Sequence, residues 1–418
     1  MHILDELQWR GSINQMTDDE GLRDLLDHKS IGVYCGIDPT GDSMHIGHLI
    51  PFMILKRFQI AGCKPVIVLG GVTGSIGDPS GKKAERKLQS LDQIEHNKES
   101  LKKQLNKLFG KDNFTIVNNY DWLAPLSMID FLRDYGKLFN VNTMINKEIV
   151  ASRLEAGISF TEFTYQILQS IDFLHLYQNE DVQLQIGGAD QWGNITAGLD
   201  LIRRVEGSEA KAYGLTVPLL LKSDGTKFGK SEGGNIWLNP DLTTPYEFYQ
   251  FWINQEDNDV IKLLKYFTFL DQDEINELQN KVEKEPWKRE AQKKLAEEVT
   301  RFVHGDEALK QAQKITEALF SGNVQDLTAE EIETGFKEFP SVDVSGNKQN
   351  IIDFLTNSGI EKSRRQARED VSNGAISING VKEKDIEYVI NPYDMFDGKF
   401  VIVRRGRKKY FLARVNNK

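Results

Sequence analysis

Two short stretches hold residues whose types and spacing could handle a phosphate. SMHIGHLIP (43–51) sets His45 and His48 three apart around Gly47, just where an apolar run begins. DGTKFGKSEGG (224–234) sets Lys227 and Lys230 three apart, flanked by glycines and followed by Ser231. Imidazole N–H groups at a helix N-terminus would add to its unpaired backbone donors and favour an anion there. Gly47 has no Cβ, which would let a flat base lie against the helix. A structural histidine pair and an ordinary turn are the plainer alternatives. Zinc is a poor one, since HExxH spacing is absent and the chain has only two cysteines, Cys35 and Cys63.

A third stretch, LGGVTGSIGDPSGKKAERK (69–87), resembles a phosphate loop only superficially. Ile76 stands where GxxxxGK[ST] requires its first glycine, and GxGxxG is not matched either. Its chemistry lies in Asp78, a carboxylate able to hold an ammonium group, and in Lys82 and Arg86, two cations on a glycine-rich tether. On FTEFTYQILQSIDF, Tyr165, Gln169 and Asp172 fall at i, i+4 and i+7, so one helix face presents a hydroxyl, an amide and a carboxylate. Core packing would prefer apolar groups there.

The elements that must position these groups alternate. IGVYCGID (31–38), KPVIVLGG (64–71), FTIVNN (114–119) and VQLQIGG (182–188) read as strands. TDDE (17–20) reads as a capping box before a short helix. HIGHLIPFMILKRFQIAG and QWGNITAGLDLIRRVEG read as helices that follow strands. Such alternation predicts a parallel α/β sheet with ligands beyond the carboxyl ends of its strands. HIGH, GGVTGSIGD, NNYDW and GGADQ all fall at those ends.

From Phe248 the chain turns amphipathic and charged, and predicts several helices, one capped by Asp271 with Glu274 reaching back. Residues 323–348 read as a linker. The last 70 residues mix short helices with strands, AISIN and a hairpin in FVIVRRGRKKYFLARV.

Composition bounds the partners. The 418 residues are 39% hydrophobic and 27% charged, which is ordinary for globular domains. There is no apolar run long enough for a membrane span and no signal-peptide pattern at the start, so a cytoplasmic setting is expected. The net charge of −10 conceals an asymmetry. Residues 351–418 hold 14 Lys and Arg against 9 Asp and Glu, a net of +5 on a body at −15. A basic tail on an acidic body points to RNA at that end.

HIGH together with KFGKS resembles the two signatures of class I aminoacyl-tRNA synthetases, the second with Phe228 and Gly229 in place of Met and Ser. YCGIDPTGDSMHIGH, FTEFTYQILQSIDF and QIGGADQWGNI narrow the resemblance to the bacterial tyrosyl-tRNA synthetases, essentially end to end. GIEKSRRQAREDVSNGAISINGVKEK resembles an S4-type RNA-binding domain.

The resemblance implies a Rossmann-like parallel-sheet catalytic domain (1–222) and a signature loop with its connection (223–247). A helical tRNA-binding domain (248–322), the linker and a small α+β S4-like domain (349–418) follow. It implies that L-tyrosine is activated with Mg-ATP and passed to the 3′ end of tRNA(Tyr), in a homodimer with no tightly bound metal. Tyr34 and Asp172 would bond the substrate phenol, and Asp78, Tyr165 and Gln169 its α-amino group, with Gln191 near the reacting carboxylate. Gly36, Asp38, Gly47, Gly188 and Asp190 would serve the nucleotide. Thr40, His45, His48, Lys82, Arg86, Lys227, Lys230 and Ser231 would serve the transferred phosphate. Arg364, Arg365, Arg368, Arg404, Arg405, Arg407, Lys408 and Lys409 would meet RNA. Pro51 replaces a threonine of some members, removing one ribose contact; a proline in a first helical turn costs the fold nothing.

A tryptophan-specific synthetase would share both signatures, but indole has no hydroxyl to justify Tyr34 with Asp172. A small nucleotidyltransferase would not need KFGKS, and a non-enzymatic RNA-binding regulator would need neither signature.

Overall fold

The computed structural model describes residues 1–80, 90–151, 154, 157–226, 228–231, 234–337, 339–406 and 409–416; among these, the side chains of residues 91, 148, 149, 230 and 231 are outside the description. Lys82, Arg86, Lys227, Arg407 and Lys408 therefore lie outside the described residues, as do the side chains of Lys230 and Ser231. The chain forms two compact units, Met1–Thr243 with Trp252–Val303, and Thr244–Phe251 with His304–Lys418.

The first unit is built on six strands: β1 (Gln15–Met16), β2 (Gly32–Ile37), β3 (Lys64–Leu69), β4 (Thr115–Asn118), β5 (Val182–Gly188) and β6 (Tyr213–Val217). Their order is β1-β6-β5-β2-β3-β4, parallel except for the antiparallel β1–β6 pair. The chain runs outward from β2 through β3 to β4, then returns to lay β5 on the other side of β2. That reversal makes the β2/β5 edge the switch point, where an open α/β sheet leaves a crevice.

β2, β3 and β5 are almost wholly buried, as befits a sheet covered on both faces, although β5 sets Gln183 and Gln185 among its apolar residues. The Phe160–Asn179 and Trp192–Glu206 helices pack on one another, with Phe173, Leu176, Ile195 and Ile202 in the core beside Tyr34. β6 and β1 add strands that the sequence reading did not contain. The helix expected after TDDE runs Asp19–His28, following one at Ile3–Trp9, with Asp18 as its cap, accepting from the Gly21 amide; Thr17 instead bonds the Gly214 amide of β6. The predicted capping box is absent: Asp18 caps alone, Gly21 at the third helical position has no side chain to reach back, and Thr17 is used for sheet pairing.

The Ile46–Ile60 helix carries the HIGH segment into the core. Pro51 is six residues in, not in the first turn as expected, so it cannot donate the usual bond to the Gly47 carbonyl. At the far end of this helix, Arg57 is buried and donates to the carbonyls of Tyr266 and Thr268, at 3.2 and 2.6 Å. Arg10, also buried, donates to the carbonyls of Lys265 and Leu270. The two guanidiniums thus satisfy the orphan carbonyls that end the Asp257–Phe267 helix. Burial and the Arg10 charge push Arg57 down to about 9, opposed by Glu6.

The predicted capping box of Asp271 with Glu274 is present. The charged helices divide between the units, however. Asp257–Phe267, Gln272–Lys284 and almost all of Glu290–His304 belong to the first, and Asp306–Ser321 to the second.

Residues 323–348 are not a linker. They contain the Ala329–Gly335 helix, capped by Thr328 and Glu331, and the Ser341–Ser345 strand, which pairs parallel with Lys409–Asn416. Val324, Leu327, Ile332 and Phe336 are buried against Ile315, Ile402 and Leu412. That apolar content, spread among acids and turn-formers, is what the reading by composition overlooked. The predicted terminal hairpin is present as Phe400–Arg405 paired with Lys409–Asn416, and the predicted AISIN strand as Ile376–Ile378.

Candidate active site

A cavity of about 240 Å³ opens at the β2/β5 switch point. Tyr34, Gly36, Asp38, Thr40, His48, Asp78, Tyr165, Gln169, Asp172, Gly188 and Gln191 all line it, which brings together eleven of the residues singled out by sequence. His45, Gly47 and Asp190 are not part of its wall.

Tyr34 and Gln185 are directly paired across β2 and β5, and the Gln185 amide donates to the Tyr34 hydroxyl at 3.0 Å. Burial, with Asp172 nearby, holds the Tyr34 phenol neutral by raising its pKa well above the usual value. Asp172 is buried too. Its Oδ2 accepts from the Asn119 amide at 3.0 Å and its Oδ1 from the Trp122 indole N–H at 2.8 Å. Desolvation nevertheless pushes its carboxyl up to about 7, against the pull of those two donors.

A chain of bonds leads from there to Asp38. Asn119 also donates to Thr73 Oγ1 (2.9 Å), Thr73 donates to Asp38 Oδ1 (2.8 Å), and Tyr165 donates to Asp38 Oδ2 (2.9 Å). The Val72 amide occupies the Asn119 carbonyl oxygen, so every polar group of that buried side chain is used. Gly70 belongs to the same construction. A Cβ on it would fall 2.1 Å from Asp38 Oδ1 and 2.4 Å from Thr73 Oγ1, so any side chain would have to displace the bond between them. Across the cavity, Gln191 donates to Asp78 Oδ2 at 2.7 Å and the Ser80 amide bonds Oδ1 at 2.9 Å.

The HIGH histidines cap their helix reciprocally. His45 Nδ1 accepts from the Gly47 amide at 3.0 Å, and His48 Nδ1 accepts from the His45 amide at 3.3 Å. The rings stack 3.9 Å apart. With both Nδ1 atoms accepting, each ring carries its proton on Nε2 when neutral, and so has an N–H to donate. Gly47 is required first by this cap, since a Cβ would sit 2.8 Å from the His45 ring.

The second signature lies against the first. His45 bridges Trp237, the Ile46 amide donates to Ile236, and a Cβ at Gly229 would lie 3.6 Å from the Gly47 nitrogen. Gly229 sits at φ +100°, a conformation that favours glycine. Phe228 is buried 5.6 Å from both Trp252 and Phe267, and Asp259 accepts from the Ser223 amide at 2.9 Å. The loop is anchored at its base by groups the sequence reading did not single out.

Among the described residues, Asn119, Trp122, Thr73 and Gln185 join the site without having been predicted. NNYDW had been marked as lying at a strand end, but its bonds to Asp172 span about fifty residues and leave no local signal.

In the second unit, Arg365, Arg368 and Lys409 are exposed. Arg364 is ion-paired with Asp353, Arg404 lies over the Tyr410 ring, and Arg405 faces Glu361 and Asp370.

A nucleotide-type crevice whose HIGH cap touches a lysine signature defines a class I aminoacyl-tRNA synthetase. In agreement, the family described as tRNA synthetases class I (W and Y) matches residues 26–321, and the tyrosine–tRNA ligase SYY-like C-terminal domain matches residues 331–413. The chain belongs to the tyrosine–tRNA ligases. It is 71% identical over 416 residues to the tyrosine–tRNA ligase of Pediococcus pentosaceus, covering 99% of this chain and all of that one. It is 69% identical over 415 residues to that of Limosilactobacillus reuteri, with the same coverage. A solved C-terminally truncated mitochondrial tyrosyl-tRNA synthetase from Aspergillus nidulans superposes with TM-score 0.69 at 31% identity, over 76% of this chain and 94% of that one. These relatives support the tyrosine reading and not the tryptophan alternative.

Proposed function

We propose that this enzyme activates L-tyrosine with Mg-ATP and transfers the tyrosyl group to the 3′ end of tRNA(Tyr). A carboxylate oxygen of tyrosine attacks the α-phosphorus, the bond to pyrophosphate breaks, and tyrosyl-adenylate forms. A terminal ribose hydroxyl of the tRNA then attacks the tyrosyl carbonyl and AMP departs. No protein nucleophile is needed, so catalysis is positioning together with stabilisation of developing charge.

The observation that carries this reading is that the buried Tyr34 and the doubly held Asp172 carboxylate line one cavity. A neutral phenol beside a carboxylate suits a substrate hydroxyl, donating to it from one side and accepting from it on the other. Asp78, Tyr165 and Gln169 would hold the α-amino group and Gln191 would adjoin the carboxylate. Gly36, Asp38, Gly47, Gly188 and Asp190 would serve the nucleotide. Thr40, His45 and His48 would donate to the phosphates from one side, while Lys82, Arg86, Lys227, Lys230 and Ser231 would close from the other.

Arg365, Arg368 and Lys409 would meet tRNA phosphates. A cytoplasmic homodimer is the expected state. Its support is a run of exposed apolar side chains between 128 and 160, among them Met128, Ile129, Val141 and Phe160. No described helix is long and apolar enough to cross a membrane.

ATP–pyrophosphate exchange with each amino acid tests the assignment. Tyrosine should support exchange, and phenylalanine and tryptophan should not. Exchange driven by tryptophan at a comparable rate would overturn it.

A further inference from the structure

Arg405 ends the Phe400–Arg405 strand beside the basic turn, where a cation reaching RNA would be expected. Its guanidinium is instead committed to the protein. Nε lies 3.0 Å from Glu361 Oε1, and a terminal nitrogen lies 2.9 Å from Asp370 Oδ2. The Glu361 side chain is 0% exposed and that of Asp370 14%. Glu361 lies three residues before the Arg364–Ser372 helix, and Asp370 lies within it; Asp370 Oδ1 also accepts from Gln366 at 2.8 Å. The same helix carries the exposed Arg365 and Arg368. Burial and the Asp370 carboxyl push Glu361 up to about 7, and Arg405 opposes them. A buried carboxylate that loses its cation is strongly disfavoured, so the arginine is not free to swing out to a phosphate.

We infer that Arg405 is a positioning residue, a two-armed pin that joins Glu361 and Asp370 to the end of the hairpin. In doing so it sets where Arg365 and Arg368 present their charges to tRNA. The inference rests on the RNA-binding reading of this unit.

The test uses the full-length protein and tRNA(Tyr). Dissociation constants are measured across a salt series, together with the KM for tRNA in charging and the rate of pyrophosphate exchange. A lysine keeps the charge but puts a single ammonium in place of the planar fork, so it cannot hold both carboxylates in the geometry the guanidinium imposes. Arg405→Lys should therefore weaken tRNA binding about as much as Arg405→Gln, roughly tenfold, while keeping the wild-type salt slope. Asp370→Asn removes a negative charge next to the RNA face, and electrostatics alone would tighten binding. Positioning predicts weaker binding and a raised KM for tRNA, with pyrophosphate exchange unchanged.

Near-wild-type binding by Arg405→Lys, with a weak Arg405→Gln of reduced salt slope, would make Arg405 a phosphate contact and overturn the inference. Equal or tighter binding by Asp370→Asn would overturn it as well. Arg365→Ala and Arg368→Ala separate the two levels. If neither changes affinity or salt slope, the RNA reading itself fails. If both do while the Arg405 and Asp370 variants behave as wild type, only the pin fails.

Discussion

Asn119 holds Asp172 from a distance of 53 residues along the chain, its amide 3.0 Å from Oδ2, while Trp122 takes Oδ1. These two donors favour the ionised carboxylate, and burial opposes them with the larger effect. The carboxylate that is to accept the substrate phenol is therefore poised near neutrality. Asn119→Ala removes one donor and should move the Asp172 carboxyl above about 7. Tyrosine activation at pH 7 should fall roughly tenfold, the usual scale for a hydrogen bond to a charged group, and recover as pH rises. A pyrophosphate-exchange profile identical to wild type would remove Asn119 from this role.

The same raised carboxyl makes a statement about stability. In the unfolded chain Asp172 loses its proton near the ordinary value of 3.8, whereas in the folded chain it keeps it up to about 7. Between those values the folded state binds more protons, so this group's contribution to stability declines as pH rises through the window and is level above it. Asp172→Asn removes the titration. The difference in melting temperature between wild type and variant should therefore shift in the variant's favour from pH 4 to pH 7, while tyrosine activation is lost. A constant difference across that range would contradict the assignment.

Gly70 makes a sharper test of the network. An alanine there places a methyl on the Asp38–Thr73 bond, which in turn supports Tyr165 and Asn119. Overpacking of this kind costs about 1–3 kcal/mol. Gly70→Ala should remain folded with a lower melting temperature, and lose tyrosine-dependent exchange by roughly a hundredfold, as a misplaced constellation does. Retention of full exchange would show that the Thr73–Asp38 bond is dispensable.

What the sequence made legible follows from how local each signal is. β2 and β3 announce themselves by apolar runs, β5 by apolar residues alternating with glutamines, and Tyr165, Gln169 and Asp172 by helical spacing. All three helix residues do line the cavity. β6 (YGLTV) was passed over because it is short, contains a glycine and follows a polar turn, although every residue in it is buried. The helix and strand within 323–348 were hidden because their few apolar residues are separated by acids, and only tertiary packing makes them core. Thr73 and Asn119 were invisible for a different reason: their meaning lies in partners far along the chain. Sequence treats the basic residues of the tail alike, in the helix and in the hairpin turn, and only the folded unit distinguishes exposed Arg365 from committed Arg405.

Lys230 and Lys82 are proposed to meet charge that develops on the phosphates during transfer, not charge present in the bound substrate. Lys230→Ala and Lys82→Ala should then slow adenylate formation much more than they weaken tyrosine binding. Single-turnover rates and equilibrium binding on the same preparations separate the two quantities. Unchanged rates would take both lysines off the catalytic list.

A chain ending at residue 320 divides the chemistry from the RNA reading. The residues proposed to bind tyrosine and nucleotide lie before residue 232, and the exposed Arg365, Arg368 and Lys409 lie beyond the cut. The cut is not neutral, however, because it strips Val324, Ile332, Phe336 and Leu412 from the Asp306–Ser321 helix and leaves Ile315 and Ala318 uncovered. It also removes Glu331, whose carboxylate is 2.7 Å from Lys314. That last helix should fray, seen as lost helical ellipticity and greater susceptibility to proteolysis after residue 304, while the first unit keeps its sheet and cavity. Pyrophosphate exchange should survive and tRNA charging should fall to a small fraction of the full-length rate. The steep decline of tRNA binding with salt should flatten as well, because phosphate contacts have been removed. Charging at the full rate by the shortened chain would sink the RNA reading of the second unit. Loss of both activities in a truncated chain with an intact first unit would mean that adenylate formation itself depends on the second.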